Sequence, residues 1–307
     1  MTLTANYRIC GLTVGSELDL TGAIHNHSLS EAVDVAIRRG RVPARLAGAT
    51  DAGPDWQLTG NDRFLFGVAG LARFLVTGGR QITVEIETGA RESDVSGFVL
   101  GTAFGILLHQ RGSLVLHGSA VACNARAIAI CGESGAGKST LAAALCRDGC
   151  SFVTDDLCAI TRDKNGQPVV LPDGRKLKLW KDTIDKFDLL ARRGDQVRQP
   201  FEKYYIEPFD ETIEPPTLSA IFVLRNAQST SEAGIERLAL PDAMRILECE
   251  MYRPGIRAKM GLKAELIMHA AATLTHAKVF LLRRPRGFEH LDETAGWMRA
   301  CWGNWES

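Results

Sequence analysis

Gly132-Glu133-Ser134-Gly135-Ala136-Gly137-Lys138-Ser139-Thr140 is the stretch on which the fold turns. It fills every position of the pattern G-x-x-x-x-G-K-[ST], which average residue usage would produce by chance in about one chain in a hundred of this length. Ahead of it, Ala127-Ile128-Ala129-Ile130 reads as a short buried strand; behind it, Leu141-Ala142-Ala143-Ala144-Leu145 reads as helix. Strand, glycine-rich turn and helix in that order predict a phosphate-binding loop. The glycines let backbone N–H groups close around phosphate oxygens, and the helix N-terminus adds positive potential. Lys138 is expected to reach the β- and γ-phosphates of ATP, and the Ser139 hydroxyl to ligate Mg²⁺.

The next strand reads Ser151-Phe152-Val153-Thr154 and delivers Asp155-Asp156 at its end. Two adjacent carboxylates there can divide labour: one holds Mg²⁺ with Ser139, the other accepts the proton of an attacking hydroxyl. His117, between apolar strands in Leu114-Val115-Leu116-His117-Gly118-Ser119, either orients that base or is a satisfied core histidine. Glu133 reads as tolerated in the loop without a catalytic part. Further on, Arg198 and Lys203 sit in a basic stretch that either closes over phosphates or a peptide carboxylate, or is ordinary solvated charge.

The chain has 307 residues, enough to bury a large core. Its 36 lysines and arginines balance 36 aspartates and glutamates, which argues against a broad nucleic-acid surface. The eight cysteines show no CxxC pair and no metal-ligand spacing, so reduced thiols are expected. No basic segment followed by an apolar run opens the sequence, and the longest apolar run, 98–108, is too short to span a bilayer. A soluble cytoplasmic protein without membrane association is the expectation.

Residues 1–90 read as a small α+β unit. A strand is predicted over 7–14, a helix over 29–39 capped by Ser28 or Ser30, a connecting loop over 40–62, and strands over 64–68, 72–76 and 82–87. His25 and His27 read as surface residues. Residues 91–307 are expected to form an α/β catalytic domain on a mixed sheet. It would have a helix over 93–110, strands over 113–116, 119–123 and 127–131, a helix over 181–192 and a basic loop over 193–200. A strand over 219–224, a helix over 261–276, a strand over 278–282 and a closing helix over 289–302 complete it. Trp180, Trp297, Trp302 and Trp305 are expected to pack in the core or between helices.

Leu116-His117-Gly118, the loop 132–140 and Val153-Thr154-Asp155-Asp156 together resemble the catalytic core of bacterial HPr kinase/phosphorylase. The resemblance covers roughly residues 112–161 and implies a fold similar to phosphoenolpyruvate carboxykinase, with ATP and Mg²⁺ as cofactors. By that resemblance Asp155 is the first choice for the base and Asp156 for the metal side, with the reverse order as the alternative. His117 would lie near the base, and a homo-oligomer becomes an option because those relatives form rings. The first 90 residues do not look like that family's own N-terminal domain, and its signature segment for phosphorolysis is not found after residue 171. Phosphorolysis, and HPr itself as acceptor, are therefore not expected.

The segments 67–76, 107–112 and Leu177-Lys178-Leu179-Trp180 resemble the HPr-kinase-like proteins of lasso-peptide biosynthesis. That implies phosphorylation of a serine or threonine hydroxyl near the C-terminus of a ribosomal precursor peptide. The alternatives are a small-molecule hydroxyl kinase and a regulator that binds ATP without transferring phosphate.

Overall fold

The structure, a computed structural model, describes residues 5–26, 32–198, 200–207, 210 and 214–302. Its first sheet comprises β1 (Ala5–Ile9), β2 (Leu12–Ser16), β3 (Val35–Arg39), β4 (Asp51–Ala52), β5 (Trp56–Thr59), β6 (Arg63–Val68), β7 (Ala72–Thr77) and β8 (Gln81–Ile86). They lie in the order β1-β2-β3-β8-β7-β6-β5-β4. The predicted strand over 7–14 is a hairpin instead, because Cys10 and Gly11 both take positive φ and fold β1 back on β2. The helix expected over 29–39 is also corrected. Val35 and Ile37 are buried with Ala36 and Arg38 turned outward, a two-residue period that seats β3 between β2 and β8. Residues 27–31, with His27 and both proposed caps, lie outside the described residues, as does Trp305. The expected loop 40–62 contains β4 and β5.

The helical layer over this sheet comes from α1 (Glu92–Phe98) and α2 (Phe104–Gln110), joined by a π-helical turn, Val99–Ala103. Phe104, Leu107 and Leu108 bury against Phe64, Phe74 and Val84, and the same cluster takes in Val115, Leu157, Ala159, Met260 and Leu262. One hydrophobic core therefore runs from the first sheet into the second.

The second sheet contains β9 (Leu114–Cys123), β10 (Arg126–Gly132), β11 (Ser151–Thr154), β12 (Leu157–Arg162) and β13 (Pro168–Val170). After a separate sheet of β14 (Leu177–Trp180), β15 (Arg193–Arg198) and β16 (Phe201–Ile206), it resumes with β17 (Thr217–Asn226), β18 (Gly234–Arg237) and β19 (Lys278–Arg284). It is mixed: β10, β17 and β19 are parallel neighbours, flanked by antiparallel β9 and β18. The two strands predicted over 113–123 are one, since β9 runs unbroken through His117 and Gly118. The expected basic loop 193–200 is mostly β15. The helix expected over 181–192 stops early as α4 (Lys181–Lys186), because Asp188 takes a positive φ before a short 3₁₀ turn.

The phosphate-loop helix is α3 (Lys138–Arg147), whose run Leu141-Ala142-Ala143-Ala144-Leu145 is buried along its length. Three alanines in succession let its backbone approach the sheet closely. α8 (Leu291–Trp302) packs on α3 on the same face, while α5 (Leu240–Cys249) and α7 (Lys263–Leu274), with α6 (Pro254–Lys259) between them in the chain, bury residues in the cluster on the other face. Trp302 is buried, as expected, and Trp297 packs against the same core. No described helix is long and apolar enough to cross a membrane.

The segment 171–176 stitches the first sheet to the second. The Cys10 and Gly11 N–H groups donate to Asp173 and Pro172 carbonyls, and the Ile24 N–H to the Gly174 carbonyl. Gly174, at φ +64°, is required here, since a Cβ would stand 1.8 Å from the Arg8 carbonyl oxygen.

His109, at the end of α2, is fully buried between the Tyr252 carbonyl, 2.8 Å from Nε2, and the Arg257 guanidinium, 3.1 Å from Nδ1. Those partners fix the neutral tautomer: Nε2–H donates and Nδ1 accepts. Burial, with the Arg257 charge behind it, pushes its pKa down to about 4. The unfolded chain, titrating near 6.5, binds this proton first as pH falls. Stability is thus fully present above about pH 6.5 and is lost progressively toward pH 4, by on the order of 2–3 kcal/mol. Denaturant midpoints measured at steps across that window are expected to slope downward toward acid in the wild type and to flatten in His109→Gln.

Candidate active site

β11 and β12 lie end to end along β9, Thr154 opposite Ala120 and Leu157 opposite His117. Asp155 and Asp156 occupy the break between them, and Asp156 turns the corner with φ +75°. The break brings both aspartates to the phosphate loop at the end of β10, which lies across β9 from them. The two side chains then part company.

Asp155 is only 4 % exposed. Its Oδ1 accepts hydrogen bonds from Ser139 Oγ at 2.9 Å and from Ser119 Oγ at 2.6 Å, while Oδ2 is buried with no partner among the described residues. A carboxylate oxygen left bare beside the loop hydroxyl fits a hard cation, and Mg²⁺ needs few protein ligands because phosphate oxygens and water complete its octahedron. Among the described residues no group of three or more His, Cys, Asp or Glu is placed to hold a metal ion by itself.

Asp156 faces a cleft of about 320 Å³ that it shares with Ser134, Gly135, Gly137, Lys138, Ser139, Thr140, Lys178 and Lys203. Its side chain is 32 % exposed, and its Oδ2 pairs with Lys178 Nζ. Burial alone would raise this carboxyl, but Lys178, with Arg175 and Lys203 beyond it, brings it well below the usual carboxylate range. Burial likewise works against the Lys178 charge, and the Asp156 carboxylate more than offsets it, holding the ammonium above its ordinary value.

Lys138 is nearly buried, and its Nζ donates to the Gly132 carbonyl at 2.9 Å and the Glu133 carbonyl at 3.1 Å. The ammonium thus curls back onto the carbonyls at the start of its own loop. Burial pulls its pKa down, opposed by the Asp155 charge. His117 Nδ1 lies 3.2 Å from the Asp156 carbonyl, so Nδ1–H donates and Nε2 is left as the open nitrogen. The ring borders both this cleft and a second one of about 500 Å³ beyond Glu133 and Ser134, lined by Arg225, Glu250, Tyr252 and Arg253.

The structure thus brings His117, the loop 132–140, Asp155, Asp156 and Lys203 together. Arg198 is elsewhere: it ends β15 with its guanidinium over the Phe98 ring, 5.9 Å from the centroid. Trp180, expected in the core, is 48 % exposed beside the cleft and meets Phe201 edge-on at 6.4 Å.

Residues that the sequence left unassigned support the site. Lys178 was detectable in the alternation Leu177-Lys178-Leu179-Trp180, whose leucines are buried. Arg175 was not. Its guanidinium, 3 % exposed, binds Asp173 Oδ1 at 2.6 Å, the Leu100 carbonyl at 2.8 Å and the Asp155 carbonyl at 3.1 Å. Arg284 holds the Ala136 carbonyl at 3.0 Å from behind the loop.

No protein-family model matches the chain, and no curated protein does. Among solved structures, the HPr(Ser) kinase/phosphatase from Coxiella burnetii matches over 63 % of this chain and 99 % of that one, at 14 % identity and a TM-score of 0.34. A likeness of that degree decides nothing about the chemistry, which the residues themselves must carry.

Gly137 sits at φ +91°, and a Cβ there would meet the pinned Arg284 guanidinium at 2.3 Å. Gly137→Ala is expected to lower affinity for MgATP about tenfold while circular dichroism stays native, calorimetric titration being the readout.

Proposed function

We propose that this chain is an ATP- and Mg²⁺-dependent kinase acting on a serine or threonine hydroxyl of a peptide. A ribosomal precursor peptide, modified near its C-terminus, is the acceptor class that the sequence resemblance favours. The observation that carries the kinase reading is the Ser139–Asp155 contact at 2.9 Å with the bare Asp155 Oδ2 beside it, set at the foot of a complete phosphate loop.

The contacts favour the second of the two orders left open for the aspartates. Asp155, buried behind Ser139, suits the metal side; Asp156, facing the cleft, suits the base. Bound Mg²⁺ would supply charge neutralisation across the β- and γ-phosphates. Lys138 would exchange its two loop carbonyls for phosphate oxygens, and the loop N–H groups would cradle the β-phosphate. Asp156 would align the acceptor hydroxyl and take its proton as the bond to phosphorus forms. Phosphoryl transfer of this kind asks the protein for position and charge more than for a strong base, so a well-placed carboxylate suffices. His117, bonded to the Asp156 backbone, would keep that corner in place.

A peptide acceptor is favoured over a metabolite by what borders the cleft. The exposed pair Trp180 and Phe201 carries it out onto the face of the small sheet, where an extended chain can lie. Free thiols throughout the described residues fit the reducing cytoplasm, where ATP is abundant.

Incubation with ATP, Mg²⁺ and a candidate precursor peptide is expected to add the mass of one phosphate to the peptide. Asp156→Asn is expected to keep MgADP affinity within about threefold while transfer falls by roughly 10²–10⁴. Asp155→Asn is expected to lose the gain in nucleotide affinity that Mg²⁺ confers, and Lys138→Ala to weaken both binding and turnover. Wild-type transfer by Asp156→Asn would remove Asp156 from the role of base.

A further inference from the structure

Lys178 was assigned no part in the chemistry, yet it stands at the centre of the site. Leu177 and Leu179 of β14 point into the core, each 1 % exposed, so strand alternation turns Lys178 and Trp180 to the cleft that Gly137, Lys138 and Ser139 also line. Its ammonium closes on Asp156 Oδ2. A carboxylate held in an ion pair accepts a proton poorly while the pair stands. Three ammonium groups, Lys138, Lys178 and Lys203, outnumber the one carboxylate that lines the cleft, Asp156, an excess suited to an incoming polyanion. The other two are differently placed: Lys138 is bound to the loop floor, and Lys203 leans toward the Trp180 ring, 5.9 Å from its centroid.

We propose that Lys178 is a catalytic cation that leaves Asp156 for the γ-phosphoryl oxygens of bound ATP, stabilising the transferring group and releasing the Asp156 carboxylate to the acceptor hydroxyl. This rests on the kinase reading above and adds to it a residue and an order of events. In the step, the acceptor oxygen bonds to the γ-phosphorus as the bond from that phosphorus to the β–γ bridging oxygen breaks. ADP keeps the electron pair, the acceptor proton passes to Asp156, and Lys178 retains its own proton throughout. Before nucleotide binds, the ion pair keeps the Asp156 carboxylate occupied. Once the phosphates are in place, the lysine has a more highly charged partner a short swing away.

The test compares wild type, Lys178→Met and Lys178→Arg. The measurements are affinity for MgADP, affinity for MgADP with aluminium fluoride as mimic of the transferring phosphoryl group, and the rate of phosphoryl transfer. Lys178→Met is expected to bind MgADP within about threefold of wild type, because the lysine acts on the transferring group and not on the diphosphate. It is expected to lose roughly 10²–10³-fold in transfer and a similar factor in affinity for the fluoride complex. Lys178→Arg, keeping the charge, is expected to restore at least about a tenth of the transfer rate.

Transfer by Lys178→Met within about threefold of wild type overturns the proposal, as does a loss of MgADP affinity in step with the loss of rate. If wild type transfers and these results follow, Lys178 alone is dismissed. If wild type neither binds MgATP nor transfers phosphate, the kinase reading falls and this proposal falls with it.

Discussion

Arg175 joins three parts of the chain through its acceptors: the Asp173 carboxylate two residues away, the Leu100 carbonyl in the π-helical turn, and the Asp155 carbonyl in the acidic corner. A buried guanidinium is tolerable only when so fully engaged, and Asp173 is equally committed, accepting from Thr154 Oγ1 as well. The consequence is positional. The backbone of the acidic corner is fixed by a side chain that is itself clamped between the two sheets, so the placement of Asp155 against Ser139 depends on the first sheet and its helices being in place. A strained residue such as Asp156 at φ +75° persists only where surroundings over-determine it, and here they do.

Around that fixed corner the site separates two tasks that a single pair of adjacent residues could easily confuse. At the break between β11 and β12 the positive φ of Asp156 parts the two side chains: Asp155 turns inward to hydroxyls, Asp156 outward to ammonium groups. Solvent exposure, 4 % for the first residue and 32 % for the second side chain, follows from that divergence. The chemistry open to each carboxylate is therefore set by backbone direction before any neighbour tunes it.

What could be read in advance was local. Glycines that need positive φ, a strand–turn–helix order and an acidic doublet at a strand end are encoded within a few residues, and these located the loop and the corner. Two kinds of error arose. Short amphipathic stretches misled: Val35 to Arg39 satisfied a helical reading until its pairing with β2 and β8 supplied the hydrogen bonds of a strand. Register between remote segments was invisible. Nothing near Lys178 announces Asp156, and nothing near Arg175 announces Leu100. Likewise Arg198 and Lys203 looked equivalent in one basic stretch. Pairing of β15 with β16 sends Lys203 to the cleft and leaves Arg198 over Phe98.

The hydrophobic cluster that contains Phe64 and Phe74 also contains Leu157, Ala159 and Met260. Cutting the chain near residue 90 would strip one wall from that cluster and expose the remainder to water. The two sheets are therefore expected to melt together, and a fragment beginning after the first sheet would carry an uncovered apolar face into water.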